Sequence, residues 1–143
     1  MTDQLSVLDT MFLELEQSDA GAHMHIGIAL VFDPLPGGGA PSLEDLERRG
    51  RERIPALPRF SQRLSSTETS PLSWLTWEPV ESFDLAGHLH HQVLPAPGDD
   101  EQLERWLADF WSHRLDRRLP LWEVVLLEGL TDGRWALAVK THH

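Results

Sequence analysis

The chain has 143 residues, 41% hydrophobic and 24% charged, enough for one domain with a substantial core and too few for two ordinary ones. It has no cysteine, which excludes disulfides, thiolate metal sites and a thiol nucleophile. Its formal net charge of −11 argues against nucleic acid as a partner.

Ser6-Val7-Leu8-Asp9 fits a capping box. Leu8, Met11, Phe12 and Leu15 then recur at helical spacing, which predicts a helix over 6–16 with Glu14 and Glu16 outside its apolar stripe. After a loop over 17–22, the residues from 23 to 32 alternate. Met24, Ile26, Ile28, Leu30 and Phe32 share one face; His25, Gly27, Ala29 and Val31 share the other. Both faces are mostly apolar, which predicts an inner strand packed closely on one side. The stretch 34–41, with three consecutive glycines, reads as a flexible surface loop without the spacing of a phosphate loop or dinucleotide fingerprint.

A second capping box, Ser42-Leu43-Glu44-Asp45, opens a charged helix to about residue 54, stopped by Pro55 and Pro58. A helical turn is expected over 60–64, a polar linker over 65–71, and strands over 72–77 and 88–94. Asp99, with Gln102 in the reciprocal position, caps the clearest helix, whose stripe of Leu103, Trp106, Leu107, Phe110 and Trp111 extends to Leu115. The near-continuous apolar run over 121–130 predicts a strand covered on both faces. Thr131-Asp132-Gly133 is a hairpin signal leading into a last strand over 134–141. Together these elements predict an α/β (α+β) fold with a mixed sheet flanked by helices, as a single domain over 1–143. No run approaches the ~18 apolar residues of a membrane span. The N-terminus lacks the residue order of a signal peptide. A cytoplasmic location is therefore expected, with peripheral contact to a membrane or lipid surface left open.

His88, His90 and His91 form the densest histidine cluster, with His88 and His90 on one face of the predicted strand. Zinc would need a third ligand, and Asp84 is the nearby carboxylate, so no metal site is assigned there. The same holds for His23 and His25, and His113 lies on the polar side of its helix. There is no Gly-x-Ser-x-Gly elbow and no carboxylate pair of the glycosidase kind. His142 and His143 stand at the end of a strand. Parity puts His143 with Trp135, Leu137 and Val139, and His142 with Ala136, Ala138 and Lys140. One imidazole should enter the apolar interior, where burial favours the neutral state a general base needs, and parity nominates His143. A terminal pair could equally be a frayed end or the start of a tag, so these residues alone leave its role open.

Three segments carry a resemblance. Leu5-Ser6-Val7-Leu8-Asp9-Thr10-Met11-Phe12-Leu13, followed by Met24-His25-Ile26-Gly27, resembles the opening of the bacterial wax ester synthase/diacylglycerol acyltransferase family. Pro120-Leu121-Trp122-Glu123 resembles that family's Pro-Leu-Trp segment. Lys140-Thr141-His142-His143 resembles the start of its His-His-x-x-x-Asp-Gly motif. The resemblance implies a two-lobed coenzyme A-dependent (chloramphenicol-acetyltransferase-like) acyltransferase, of which this chain matches the N-terminal lobe. The motif Asp and Gly have no counterpart here. The C-terminal lobe is absent and would be a partner, as further sequence or a second chain; alone, this lobe is expected to be inactive. By the same implication His143 is the general base and His142 its supporting residue. Acyl-coenzyme A is a co-substrate and no other cofactor is called for. The acceptor is a long-chain alcohol or a diacylglycerol. Two further readings are a condensation-domain-like or carrier-protein-dependent acyltransferase, and a non-catalytic lipid-surface or partner-binding domain.

Overall fold

In the computed structural model, which describes residues 3–65 and 75–143, a hairpin of two long strands anchors the fold. β6 (Trp122–Glu128) and β7 (Trp135–His142) pair antiparallel. β2 (His25–Phe32) adds antiparallel to β7, and β5 (Leu89–Val93) adds parallel to β6, giving the order β2-β7-β6-β5. Parallel neighbours need a crossover, and α3 (Asp100–Ser112) supplies it between β5 and β6. A smaller antiparallel sheet, β1-β4-β3, is formed by β1 (Asp3–Gln4), β4 (Thr76–Pro79) and β3 (Gln62–Leu64).

Alternation along β6 sorts the core. Val125 and Leu127 pack with Leu103 and Leu107 of α3, joined by Ala136 and Ala138 of β7. Trp122 and Val124 face the opposite way, into a cluster with Leu85, Leu89, and Leu43 and Leu46 of α2 (Leu43–Arg53). Helices on both faces explain the near-continuous apolar run of β6. A third cluster, of Leu13, Leu64, Leu75 and Leu121, joins α1 (Val7–Ser18) to the small sheet.

The capping expectations hold for α1 and α3, where both reciprocal bonds form. In α2, Ser42 accepts from the Asp45 amide, but the Asp45 carboxylate turns to Arg48 at 2.8 Å. The hairpin turn is present, with Asp132 and Gly133 both in the left-handed region at φ 64° and 71°. Part of the expected linker and strand, 66–74, lies outside the described residues; the strand found there is Thr76–Pro79.

Four expectations are corrected. β2 is an edge strand, and Ile26, Ile28 and Leu30 are 44%, 45% and 46% exposed. Apolar alternation cannot distinguish a strand covered by its own domain from one whose face is left open. α1 is rotated from its expected setting: Leu8, Met11 and Leu15 are about half exposed, whereas Leu13 and Glu16 are buried. The helix turns its carboxylate inward because a cation and an amide await it there. Residues 60–64 enter β3 after a 3-10 turn over Pro58–Ser61 instead of forming a helical turn. His88 ends a 3-10 turn before β5, so it does not share a strand face with His90.

Candidate active site

The two C-terminal histidines sit where β7 meets α1 and the segment leading into β6. The His142 amide donates to the Leu121 carbonyl at 2.9 Å, and the His143 amide donates to the Met24 carbonyl at 2.9 Å. The pair is thereby tied to both neighbouring strands up to its last residue. Parity holds, but the buried imidazole is the other one. The His142 side chain is 8% exposed, on the Ala136–Ala138–Lys140 face covered by α3. His143 belongs to the more open face and is exposed, its ring resting against Phe12 at 4.3 Å between centroids. The buried imidazole is the one that faces Glu16 of α1, so apolar neighbours along the strand do not decide which histidine is buried.

Glu16 lies behind the pair, 3% exposed. Its carboxylate accepts from the Met24 amide at 3.0 Å and from Arg117 at 2.9 Å, and Arg117 also donates to the Leu13 carbonyl at 3.2 Å. The other neighbour is Nε2 of His142, 3.3 Å from Oε2, a polar contact short of hydrogen-bond geometry; among the described residues that nitrogen has no hydrogen-bond partner. Burial raises the Glu16 carboxyl. The Met24 amide, Arg117 and His142 together lower it by more, so it is held below its ordinary 4.5 and is ionised at neutral pH.

A cleft of about 200 Å³ opens beside the pair. His142, His143 and Thr141 line it with the apolar side chains of Phe60, Trp77, Leu121 and Trp122, and with Arg59 and Asp9. Trp122 is held from three sides. Its indole donates to the Phe60 carbonyl at 2.8 Å, Phe60 meets it edge-on at 5.5 Å, and His88 stacks on it at 4.7 Å. Nδ1 of His88 also donates to the Trp122 carbonyl at 2.7 Å. Arg59 lies over the Trp77 ring at 4.5 Å and pairs with Asp3 at 2.6 Å.

Lys140, two residues before His142 on β7, is buried at 1% exposure on the α3 side. Its ammonium donates to the Phe110 and His113 carbonyls at 2.7 and 2.8 Å and pairs with Glu123 at 3.1 Å. It thus satisfies carbonyls at the C-terminal end of α3, where a cation also meets the negative end of the helix dipole.

Three of the other histidines have structural partners. His90 and His91 lie beside Glu123 and Glu128 rather than Asp84, which instead accepts from the Ala86 amide. His25 donates through Nε2 to the Trp111 carbonyl at 2.8 Å, and burial pushes it below its ordinary 6.5. Among the described residues no group of three or more His, Asp or Glu is placed to hold a metal ion. Glu16, Arg117 and Phe12 were not identified from sequence as site residues. Glu16 and Phe12 lie in or beside the motif-bearing opening segment, but nothing in the sequence marks a charged residue as inward-facing.

Residues 5–143 match the family model described as the wax ester synthase/diacylglycerol acyltransferase catalytic domain. The chain belongs to that family. The wax ester synthase/diacylglycerol acyltransferase from Marinobacter aquaeolei VT8 superposes with a TM-score of 0.79 at 34% identity, over 98% of this chain and 34% of that one. A Mycobacterium tuberculosis protein named "Probable diacyglycerol O-acyltransferase tgs1" is 37% identical over 141 residues, 99% of this chain and 29% of its own length. Another from that organism, named "Probable diacyglycerol O-acyltransferase tgs3", is 34% identical over 99% of this chain and 51% of its own length. This acyltransferase-family chain therefore spans about a third to a half of the relatives it matches. The first condensation domain of the calcium-dependent antibiotic synthetase shares the fold, with a TM-score of 0.74 at 20% identity.

Proposed function

We propose that the protein to which this chain contributes transfers a fatty acyl group from acyl-coenzyme A to the hydroxyl of a long-chain alcohol or a diacylglycerol, with His143 as general base and His142 as its support. The observation that carries this reading is the position of the histidine pair on a largely apolar cleft lined by Leu121 and Trp122 of the Pro-Leu-Trp segment, in a chain of this family.

His143 takes the proton from the acceptor hydroxyl as its oxygen attacks the thioester carbonyl. The carbon–sulfur bond then breaks, and the imidazolium returns the proton to the departing thiolate, leaving an ester and free coenzyme A. No acyl-enzyme forms. Exposure of His143 toward the cleft suits a base that must touch substrate, while burial of His142 suits a support. A positioned base contributes roughly 10²–10⁴-fold, so the rest of the acceleration comes from orienting both substrates. The remaining channel would be completed by a C-terminal lobe, on the same chain or a second one.

The test is ester formation by the full-length protein from palmitoyl-coenzyme A with hexadecanol or a diacylglycerol. His143→Ala should lower turnover by roughly 10²–10⁴-fold; unchanged turnover refutes the base assignment. The ratio of rates with the two acceptors assigns acceptor preference.

A further inference from the structure

We infer that Glu16 is a positioning residue, whose buried carboxylate locks the His142 imidazole as its Nε2–H tautomer and so fixes the base beside it. The inference rests on the acyltransfer reading for its kinetic consequence, but its structural core does not.

A carboxylate at 3% exposure has lost nearly all its water and needs replacement partners. Two of them, the Met24 amide and Arg117, come from outside α1 and hold it in place. The third neighbour is Nε2 of His142 at 3.3 Å, a nitrogen with no hydrogen-bond partner among the described residues although its side chain is 92% buried, the complement of its 8% exposure. A carboxylate can only accept, so the proton that satisfies both groups belongs on Nε2.

The same contacts define where the pair stands. Met24, whose amide binds Glu16, also accepts through its carbonyl from the amide of His143. Leu13, whose carbonyl binds Arg117, follows Phe12, on which the His143 ring rests. Glu16 therefore joins α1, the start of β2 and the end of β7 at one point; of the two contacts that seat His143, one is on Met24 itself and the other one residue from Leu13. An outer carboxylate that orients a working histidine through hydrogen bonding has well-known analogues in metal sites and hydrolases. Here it acts on the neighbour of the base.

Histidine-ring ¹⁵N–¹H NMR on the full-length protein, with His142 assigned by His142→Ala, reads the tautomer directly. In the wild type the neutral His142 ring should appear as the Nε2–H tautomer. In Glu16→Gln that signal should shift, and kcat should fall roughly 10- to 100-fold, as for loss of an outer partner, with KM changed by less than about 2-fold. A wild-type His142 found as Nδ1–H or exchanging between tautomers overturns the inference without any variant. So does a Glu16→Gln protein in which either the ring signal or kcat stays at the wild-type value. If His143→Ala retains full turnover, the acyltransfer role of His143 fails while the ring signals still decide whether Glu16 holds His142.

Discussion

At the residue scale, buried charges organise this molecule. Glu16 and Lys140 are nearly inaccessible, at 3% and 1%, and each joins elements that are distant in sequence. Isolated, either would cost several kcal/mol; paired and hydrogen-bonded, each specifies one arrangement. Two of the groups with lowered titration, His25 and Glu16, give acid sensitivity with a definite sign. The folded His25 imidazole resists protonation, so its contribution is present above 6.5 and is lost as pH falls through that value. The folded Glu16 carboxyl behaves likewise below 4.5, where the unfolded chain takes up the proton first. The groups facing Glu16 are Arg117 and His142. Thermal melts at decreasing pH should show stability declining from about neutrality and again in the carboxylate range. Glu16→Gln should flatten the second decline; an unflattened one would mean other carboxylates set the acid limit.

At the scale of elements, Gly27 lets α3 approach β2 closely. A Cβ on Gly27 would lie 2.5 Å from the Trp111 indole, which covers this part of β2 and donates to the Val139 carbonyl at 3.3 Å. Gly27 also stands opposite Lys140 in the β2–β7 register, so the close approach of α3 lets the helix end reach that ammonium. Gly27→Ala should therefore displace Trp111 and destabilise the fold by roughly 1–3 kcal/mol, measured by urea denaturation. A loss below about 0.5 kcal/mol would mean the indole moves aside freely. The small residue was visible in the sequence, and the small face of β2 did predict something packed closely against it. That this was Trp111 required knowing that α3 crosses this sheet. α1 illustrates the opposite case. Its boundaries and cap were readable because capping is local, whereas its inward face depended on Arg117 and the Met24 amide, distant in the chain.

At the scale of the whole molecule, two apolar surfaces lack cover among the described residues: the Ile26–Ile28–Leu30 face of edge strand β2 and the Leu8–Met11–Leu15 side of α1. Open strand edges with apolar faces template association. The 143-residue chain by itself should therefore self-associate with increasing concentration in sedimentation velocity, and Ile28→Lys should reduce this. A monodisperse monomer of the unchanged chain at high concentration would count against it. No helix among the described residues is long and apolar enough to cross a membrane.

The sequence by itself determined the class of fold, the long amphipathic helix α3, the two-face burial of β6, the hairpin into β7 and the family. Each depends on local periodicity, on capping and turn residues, or on short motifs read in order. Only the tertiary structure decided that His142 is the buried member of the pair, that Glu16 and Arg117 stand behind it, and that β2 is an edge. Burial is a property of what packs against a residue, and a strand's own alternation carries no record of which face the rest of the chain will cover.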